Sequence, residues 1–373
     1  MAAKSFHPYP WYSPRFWHGM RFDAWMKMVA ENRFRIHPSR IPMALILTGF
    51  TPANSLMAAC QRWVYGRRLA STRIEQPPVF IVGHWRSGTT LLHELMAQDE
   101  QYASPSTYEC FVPHHCLLTS WILPRLFRFL LPKNRPMDNM AAGWDVPQED
   151  EFALLTLGAP TPYRRMAFPN HEPADMDMID MVGVTGDRLQ RWQDALRYFV
   201  RLLTYRYGKR VLLKSPPHTG RIAFLAQLFP GARFIHISRH PYAIFPSTRR
   251  LWYALDDAQA LQSAHHRHTD EYILSCLERM YGAFFRQRRQ LDRYQIAYVS
   301  YEELVADPVA QIARLYEELA LGDFEQVRPK LAAQAKQRAG YKPHPHRLSD
   351  DLRVEVDRRW KDYFEAFGYE MQD

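Results

Sequence analysis

Pro78-Val79-Phe80-Ile81-Val82-Gly83-His84-Trp85-Arg86-Ser87-Gly88-Thr89-Thr90-Leu91-Leu92 decides how the rest of the 373-residue chain is read. Val79 to Val82 is a short apolar run of β-formers, suited to a strand buried on both faces. Gly83 and Gly88 bound the loop that follows. Thr89 and Thr90 then open an apolar-periodic segment, Leu91 to Met96, which predicts a helix. Strand, glycine loop and helix start together form an anion cradle. The loop amides and first-turn N–H groups lack intrahelical partners, and the helix dipole adds positive potential. The plain alternative is a glycine turn capped by the two threonines. The spacing of Gly83 and Gly88 matches a Walker-A loop, yet position 89 is Thr where that loop carries lysine. An NTPase needs the lysine on its β- and γ-phosphates. The strongest cation inside the loop is Arg86, so the stretch reads as a phosphate cradle that does not belong to an ATPase.

A chain of this length forms one large or two modest domains with a sizeable core. Hydrophobic residues at 47% and charged residues at 23% are those of an ordinary globular protein. The formal charge of +9 suits an anionic ligand or an acidic membrane surface. The cations are scattered among acids and no zinc-finger or RNP spacing occurs, which argues against nucleic acid. Cys60, Cys110, Cys116 and Cys276 form no CxxC pair, and so few cysteines imply no disulfide framework. A reducing cytoplasm fits, and the N-terminus has no signal-peptide core.

Residues 1–75 are expected to form a mostly helical N-terminal extension, and residues 76–373 the main domain. Phe16 to Val29 has large apolar residues on more than one face, so it must bury against the core, a partner or lipid. Self-association and peripheral membrane contact are both compatible with that. Arg40 to Arg62 encloses an uncharged run interrupted by Pro42, Gly49, Pro52 and Asn54, and Leu117 to Leu131 carries Pro124, Arg125 and Arg128. Neither reads as a transmembrane helix, which needs about twenty predominantly apolar residues. Core packing is expected for both, with a membrane-surface helix as the alternative.

Glu149-Asp150-Glu151 opens a helix, where acids suit the dipole. Asp187 to Tyr207 has Leu189, Trp192, Leu196, Phe199 and Leu203 at helical spacing, and Gly208 closes it. Further strands are expected at Val211 to Lys214, Arg233 to Ser238 and Ile296 to Val299, with helices at Arg221 to Phe229, Pro241 to Leu251, Asp270 to Leu291 and Val309 to Leu319. The tail is expected to be helical near Leu352 to Phe364. Strands alternating with helices give an α/β fold with a parallel sheet. The third strand repeats the opening pattern. It ends in Arg239, a helix begins at Pro241, and Ser247 lies on that helix. Arg and Ser together hold a phosphate by a charged fork and a hydroxyl. Two anion sites on one sheet edge imply a ligand with two separated phosphates.

With these motifs in order, the chain resembles the sulfotransferases that use 3′-phosphoadenylyl sulfate (PAPS). It is similar to bacterial members of the class related to the carbohydrate and protein-tyrosine sulfotransferases. The resemblance runs from about Pro78 to Pro308. It implies a P-loop nucleotide-binding-like fold, a central parallel sheet flanked by helices. It implies that Arg86-Ser87-Gly88-Thr89-Thr90 grips the 5′-phosphosulfate and that Arg239 and Ser247 hold the 3′-phosphate. It also implies that Tyr301, in Tyr301-Glu302-Glu303-Leu304 shortly before Asp307-Pro308, contacts adenine. Cytosolic sulfotransferases carry lysine at the position of Arg86 and tryptophan at that of Leu91. Their C-terminal Arg-Lys-Gly motif has only a loose echo in Arg338-Ala339-Gly340-Tyr341-Lys342.

The implied reaction needs a base for the acceptor proton and cations for the leaving phosphate. By resemblance to the tyrosyl-type enzymes, Lys214 and Arg86 answer the leaving group and Glu109 is the base. His114 and His115 are rivals, because cytosolic relatives use a histidine. PAPS is the implied co-substrate and adenosine 3′,5′-bisphosphate (PAP) the product, with no metal required. The implied acceptor is a small molecule with a hydroxyl. The aromatic and apolar residues before Arg62 and around Cys110 to Leu131 suggest a lipid or sterol-like alcohol, with a carbohydrate hydroxyl as the runner-up. A P-loop kinase and a non-catalytic nucleotide or membrane-surface protein remain as alternatives from other classes.

Overall fold

A computed structural model of the chain describes residues 9–132, 134, 142–338 and 348–371. Its sheet contains β1 (Val79–Val82), β2 (Tyr102–Ala103), β3 (Arg210–Lys214), β4 (Arg233–Ser238) and β5 (Ile296–Ser300). The strands lie in the order β2-β3-β1-β4-β5, and every pairing is parallel. All four residues of β1 are buried. Phe80 and Val82 face one core cluster, Val79 and Ile81 the other, as a strand covered on both faces requires. The two-residue β2 lies outside the strands expected from the sequence, because it is too short to carry a period.

Before the sheet come α1 (Phe22–Glu31) and α2 (Ile41–Ser71), and α3 (Thr89–Met96) follows β1. The crossover to β3 contains α4 (Thr107–Phe111), α5 (Cys116–Thr119), α6 (Leu123–Leu126), α7 (Asp150–Thr156) and α8 (Gly186–Tyr207). α9 (Ile222–Leu228) joins β3 to β4, while α10 (Pro241–Gln259) and α11 (Thr269–Gln287) join β4 to β5. α12 (Tyr301–Ala306), α13 (Pro308–Leu319), α14 (Arg328–Arg338), α15 (Asp350–Arg359) and α16 (Lys361–Phe367) complete the described chain. α8 buries Trp192, Leu196, Phe199 and Leu203 and ends at Gly208 in the left-handed region, as its spacing implies. α10 runs past Leu251 to Gln259 with Pro246 inside it. The C-terminal echo at Arg338 to Lys342 extends beyond the described residues.

α2 corrects the reading of Arg40 to Arg62 as an interrupted run. It is one helix of 31 residues. Pro42 sits in its first turn, where a missing N–H costs nothing. Pro52 removes the amide that would bond the Thr48 carbonyl, and Thr51 Oγ1 donates to that oxygen at 3.2 Å. Asn54 anchors the helix rather than breaking it, since its Nδ2 donates to the His18 and Met20 carbonyls at 2.6 and 2.9 Å. By length and composition, Pro38–Ser71 is apolar enough to cross a membrane. Core packing describes only one side of α2, and Leu117 to Leu131 likewise leaves large apolar side chains exposed.

The register sets Ile81 beside Lys214 on one side and Ile235 on the other. The loop after β1, the end of β3 and the end of β4 therefore meet at one carboxyl edge, where open α/β sheets bind ligands.

Candidate active site

Gly83 (φ +148°) and Gly88 (φ +107°) both occupy backbone that side chains rarely adopt, and both are closely approached. A Cβ on Gly83 would lie 2.4 Å from the Ile237 carbonyl, and one on Gly88 would lie 2.5 Å from the Tyr301 ring. Between them Arg86 is itself left-handed, at φ +67°. The loop is held from beneath. Gly83 N donates to Thr219 Oγ1 at 2.7 Å, and Trp85 is buried against Trp252 with its Nε1 donating to Tyr163 Oη at 2.9 Å. Ser87 Oγ is buried without a hydrogen-bond partner among the described residues. A buried hydroxyl of that kind, on a loop leading into the uncapped start of α3, fits a phosphate or sulfate group.

Two clusters flank the loop. On one side, Arg86 Nε donates to Ser247 Oγ at 3.0 Å, and Arg239 Nη1 donates to the Arg86 carbonyl at 2.9 Å. The Arg239 guanidinium lies 4.1 Å over the Tyr301 ring. The two motifs read as separate phosphate sites are thus in direct contact, and the Arg86 side chain reaches the second one. Tyr301 begins α12 through a capping box of Ser300 and Glu303. Tyr363, on α16, brackets Arg239, accepting from its amide and donating to its carbonyl at 3.1 Å each. The sequence carries no signal for that contact.

On the other side, Lys214 is 2% exposed and ends β3 with its Nζ 3.5 Å from Thr90 Oγ1 and 2.7 Å from Glu149 Oε1. The second Glu149 oxygen accepts a hydrogen bond from Tyr163. Burial and the neighbouring Glu149 charge push the Tyr163 hydroxyl well above its ordinary pKa, so it stays a donor. A chain of contacts therefore links Trp85 of the cradle to Tyr163, Glu149 and Lys214.

Glu109, the carboxylate expected as base, is buried and engaged on both oxygens. Its Oε2 accepts from Ser106 N and Oγ, both at 2.8 Å, in the capping box of α4. Its Oε1 takes Tyr207 Oη at 2.8 Å and Arg206 Nε at 3.2 Å. His114 and His115 are buried side by side, with ring centroids 5.0 Å apart. Burial pushes His114 well below its usual pKa and His115 down to about 4, so neither titrates near neutrality. Asp150 and Glu151 also turn inward. Asp150 pairs with His218 at 2.7 Å, and Glu151 with Arg221 at 2.8 Å, all four buried. Of three adjacent acids, Glu149 alone reaches the cradle lysine. In the sequence it is only one member of a helix start.

The family model of the sulfotransferase family matches residues 77–326. This chain belongs to that family. The sulfotransferase is 41% identical over 360 residues to the omega-hydroxy-beta-dihydromenaquinone-9 sulfotransferase Stf3 of Mycobacterium bovis, covering 96% of this chain and 92% of the relative. The Stf3 of Mycobacterium tuberculosis matches equally. Among solved structures, the sulfotransferase STF9 from Mycobacterium avium aligns with TM-score 0.66 and 17% identity, covering 95% of this chain and 98% of that one. STF1 from Mycobacterium tuberculosis aligns with TM-score 0.64 and 16% identity, over 92% and 94%. Those likenesses establish the sulfotransferase fold.

Proposed function

We propose that this sulfotransferase moves the sulfuryl group of PAPS to the hydroxyl of a long hydrophobic alcohol, a hydroxylated isoprenoid quinone or similar lipid. The observation that carries the mechanism is the Lys214–Glu149 pair beside Thr90 at the cradle. The lipid acceptor is supported by the extent of identity to a relative whose name specifies a hydroxylated menaquinone.

In the proposed arrangement, the loop amides and Ser87, Gly88, Thr89 and Thr90 hold the 5′-phosphosulfate. Arg239 and Ser247 hold the 3′-phosphate, Arg86 joins them from the loop, and Tyr301 stacks on adenine. The acceptor oxygen attacks sulfur in line. A new O–S bond forms, the bond from sulfur to the bridging phosphate oxygen breaks, and that oxygen keeps the electron pair. Lys214 neutralises it. Glu149 takes the acceptor proton. In the free protein Lys214 is bound to Glu149, and PAPS supplies a competing anion. Drawing Nζ toward the phosphosulfate releases Glu149 Oε1 to face the hydroxyl. The donor's own charge thus switches the base on.

The nucleotide end is tested apart from the chemistry. Arg239→Ala and Ser247→Ala should each weaken PAP binding by roughly 10- to 100-fold, the loss of a charge-assisted contact. Isothermal titration or thermal shift with PAP reads this. Unchanged PAP affinity in both variants would remove the 3′-phosphate assignment.

A further inference from the structure

α2 buries one side and leaves an apolar side exposed. Ala44, Leu47, Thr51, Asn54 and Gln61 turn into the body of the protein. Leu45, Pro52, Leu56, Ala59 and Trp63 fall within roughly 60° of one another on the outer side, and all are exposed. Trp63 is 87% exposed, and Leu45 and Leu56 are each 67% exposed. Only 22% of the most apolar stretch within Pro38–Ser71 lies buried in the protein, the rest being outside its core. A second apolar segment is tied to it, since Leu117 N donates to Gln61 Oε1 at 2.8 Å. Beyond that bond Trp121 and Phe129 stand 65% and 72% exposed. A face of this extent marks an interaction surface.

Its charge is one-sided. Between Asn32 and Ile74 there are seven arginines and no Asp or Glu. Arg62, Arg67 and Arg68 are exposed near one end of the apolar face, and Arg125 and Arg128 lie in the second segment. We propose that this face docks on an anionic lipid bilayer, with α2 lying in the plane of the interface. Exposed tryptophan, aliphatic side chains and arginine together are what an interfacial helix presents. Pairing this stretch with its counterpart on a second copy would leave its arginines without an acid partner, since Asn32 to Ile74 contains none. Spanning the bilayer would strip Asn54 and Gln61 of their bonds to His18, Met20 and Pro113.

The docked face also leads toward the site. Trp144 Nε1 donates to the Phe127 carbonyl at 3.3 Å, and Trp144 lies near the start of the described stretch that reaches Glu149. A lipid alcohol leaving the bilayer would meet that loop. This last link rests on the lipid-acceptor reading, whereas the docking does not.

The test is flotation of the full chain with phosphatidylcholine vesicles, with and without phosphatidylglycerol, at about 100 and about 500 mM salt. No sulfate transfer is measured, so the result is independent of the proposed chemistry. Wild type should float with the anionic vesicles at least about tenfold better than with neutral ones, and less at high salt. The paired substitution L56E/W63E should lower flotation about tenfold or more with circular dichroism and thermal midpoint unchanged. R62E/R67E should abolish the preference for anionic vesicles. Failure of wild type to float, or equal flotation of L56E/W63E, overturns the proposal. A wild-type dimer that L56E/W63E dissociates, with no flotation, assigns the face to a second copy and also overturns it.

Discussion

Glu149→Gln should lower sulfate turnover by roughly 10²- to 10⁴-fold, the range for losing a general base. The amide keeps the size of the side chain and its contact with Tyr163, so PAP binding should hold. Lys214 loses its ion pair in the variant, yet it still has Thr90 and any bound phosphosulfate to face. The comparison that matters is with Glu109→Gln. Glu109 holds Ser106, Tyr207 and Arg206, so its loss should appear first in stability: weakening the bonds of a buried carboxylate costs about 1–3 kcal/mol. Turnover per folded molecule should survive. If Glu109→Gln folds normally and is dead while Glu149→Gln is active, the base is Glu109, as the resemblance alone implies.

The second large effect is acid instability. His18, His84 and His115 are buried with pKa values lowered to about 4, and His93 and His236 to about 3. Burial is the first cause in each. Because the folded values lie below the ordinary 6.5, the unfolded chain binds protons first as pH falls. Stability is therefore full above about 6.5 and is lost progressively below it, down to the folded values. Down to their folded values, His18, His84 and His115 each account for roughly 3 kcal/mol, and His93 and His236 for roughly 5 kcal/mol. Five such terms match or exceed the ~5–15 kcal/mol that stabilises a typical domain, so native structure should fail before pH 4. Urea titrations at fixed salt from pH 8 to pH 4.5 read the slope. His236 is stacked between Phe284 and Phe367, and His236→Gln should make the slope shallower. A stability that is flat from pH 7.5 to 5 would contradict this account.

The turn of the loop between β1 and α3 was legible because its signal is local. Glycines at the two positive-φ positions, apolar residues before and after, and an arginine with a serine eight residues on in the following helix all lie within single stretches. The strand order then brings those stretches together at one edge. Glu149 was not legible for the opposite reason. Glu149, Asp150 and Glu151 look alike in sequence, and a helix start accounts for all three. What separates them comes from elsewhere: His218 and Arg221 after β3 claim two, and Lys214 with Tyr163 claims the third. The length of α2 was hidden for a related reason. Pro52 and Asn54 are breakers by propensity, and only the Thr51 hydroxyl and the backbone of His18 and Met20 make them helix residues here. The reach of Arg86 to Ser247 required the backbone of both motifs to be placed.

Sulfate transfer from labelled PAPS, offered in parallel to a long isoprenoid alcohol in mixed micelles and to a panel of sugars, tests the central claim most directly. Labelled sulfate should pass to the lipid alcohol, and Glu149→Gln should remove that product while PAP binding persists. Transfer to a sugar with none to the lipid alcohol, or transfer indifferent to Glu149, would contradict it.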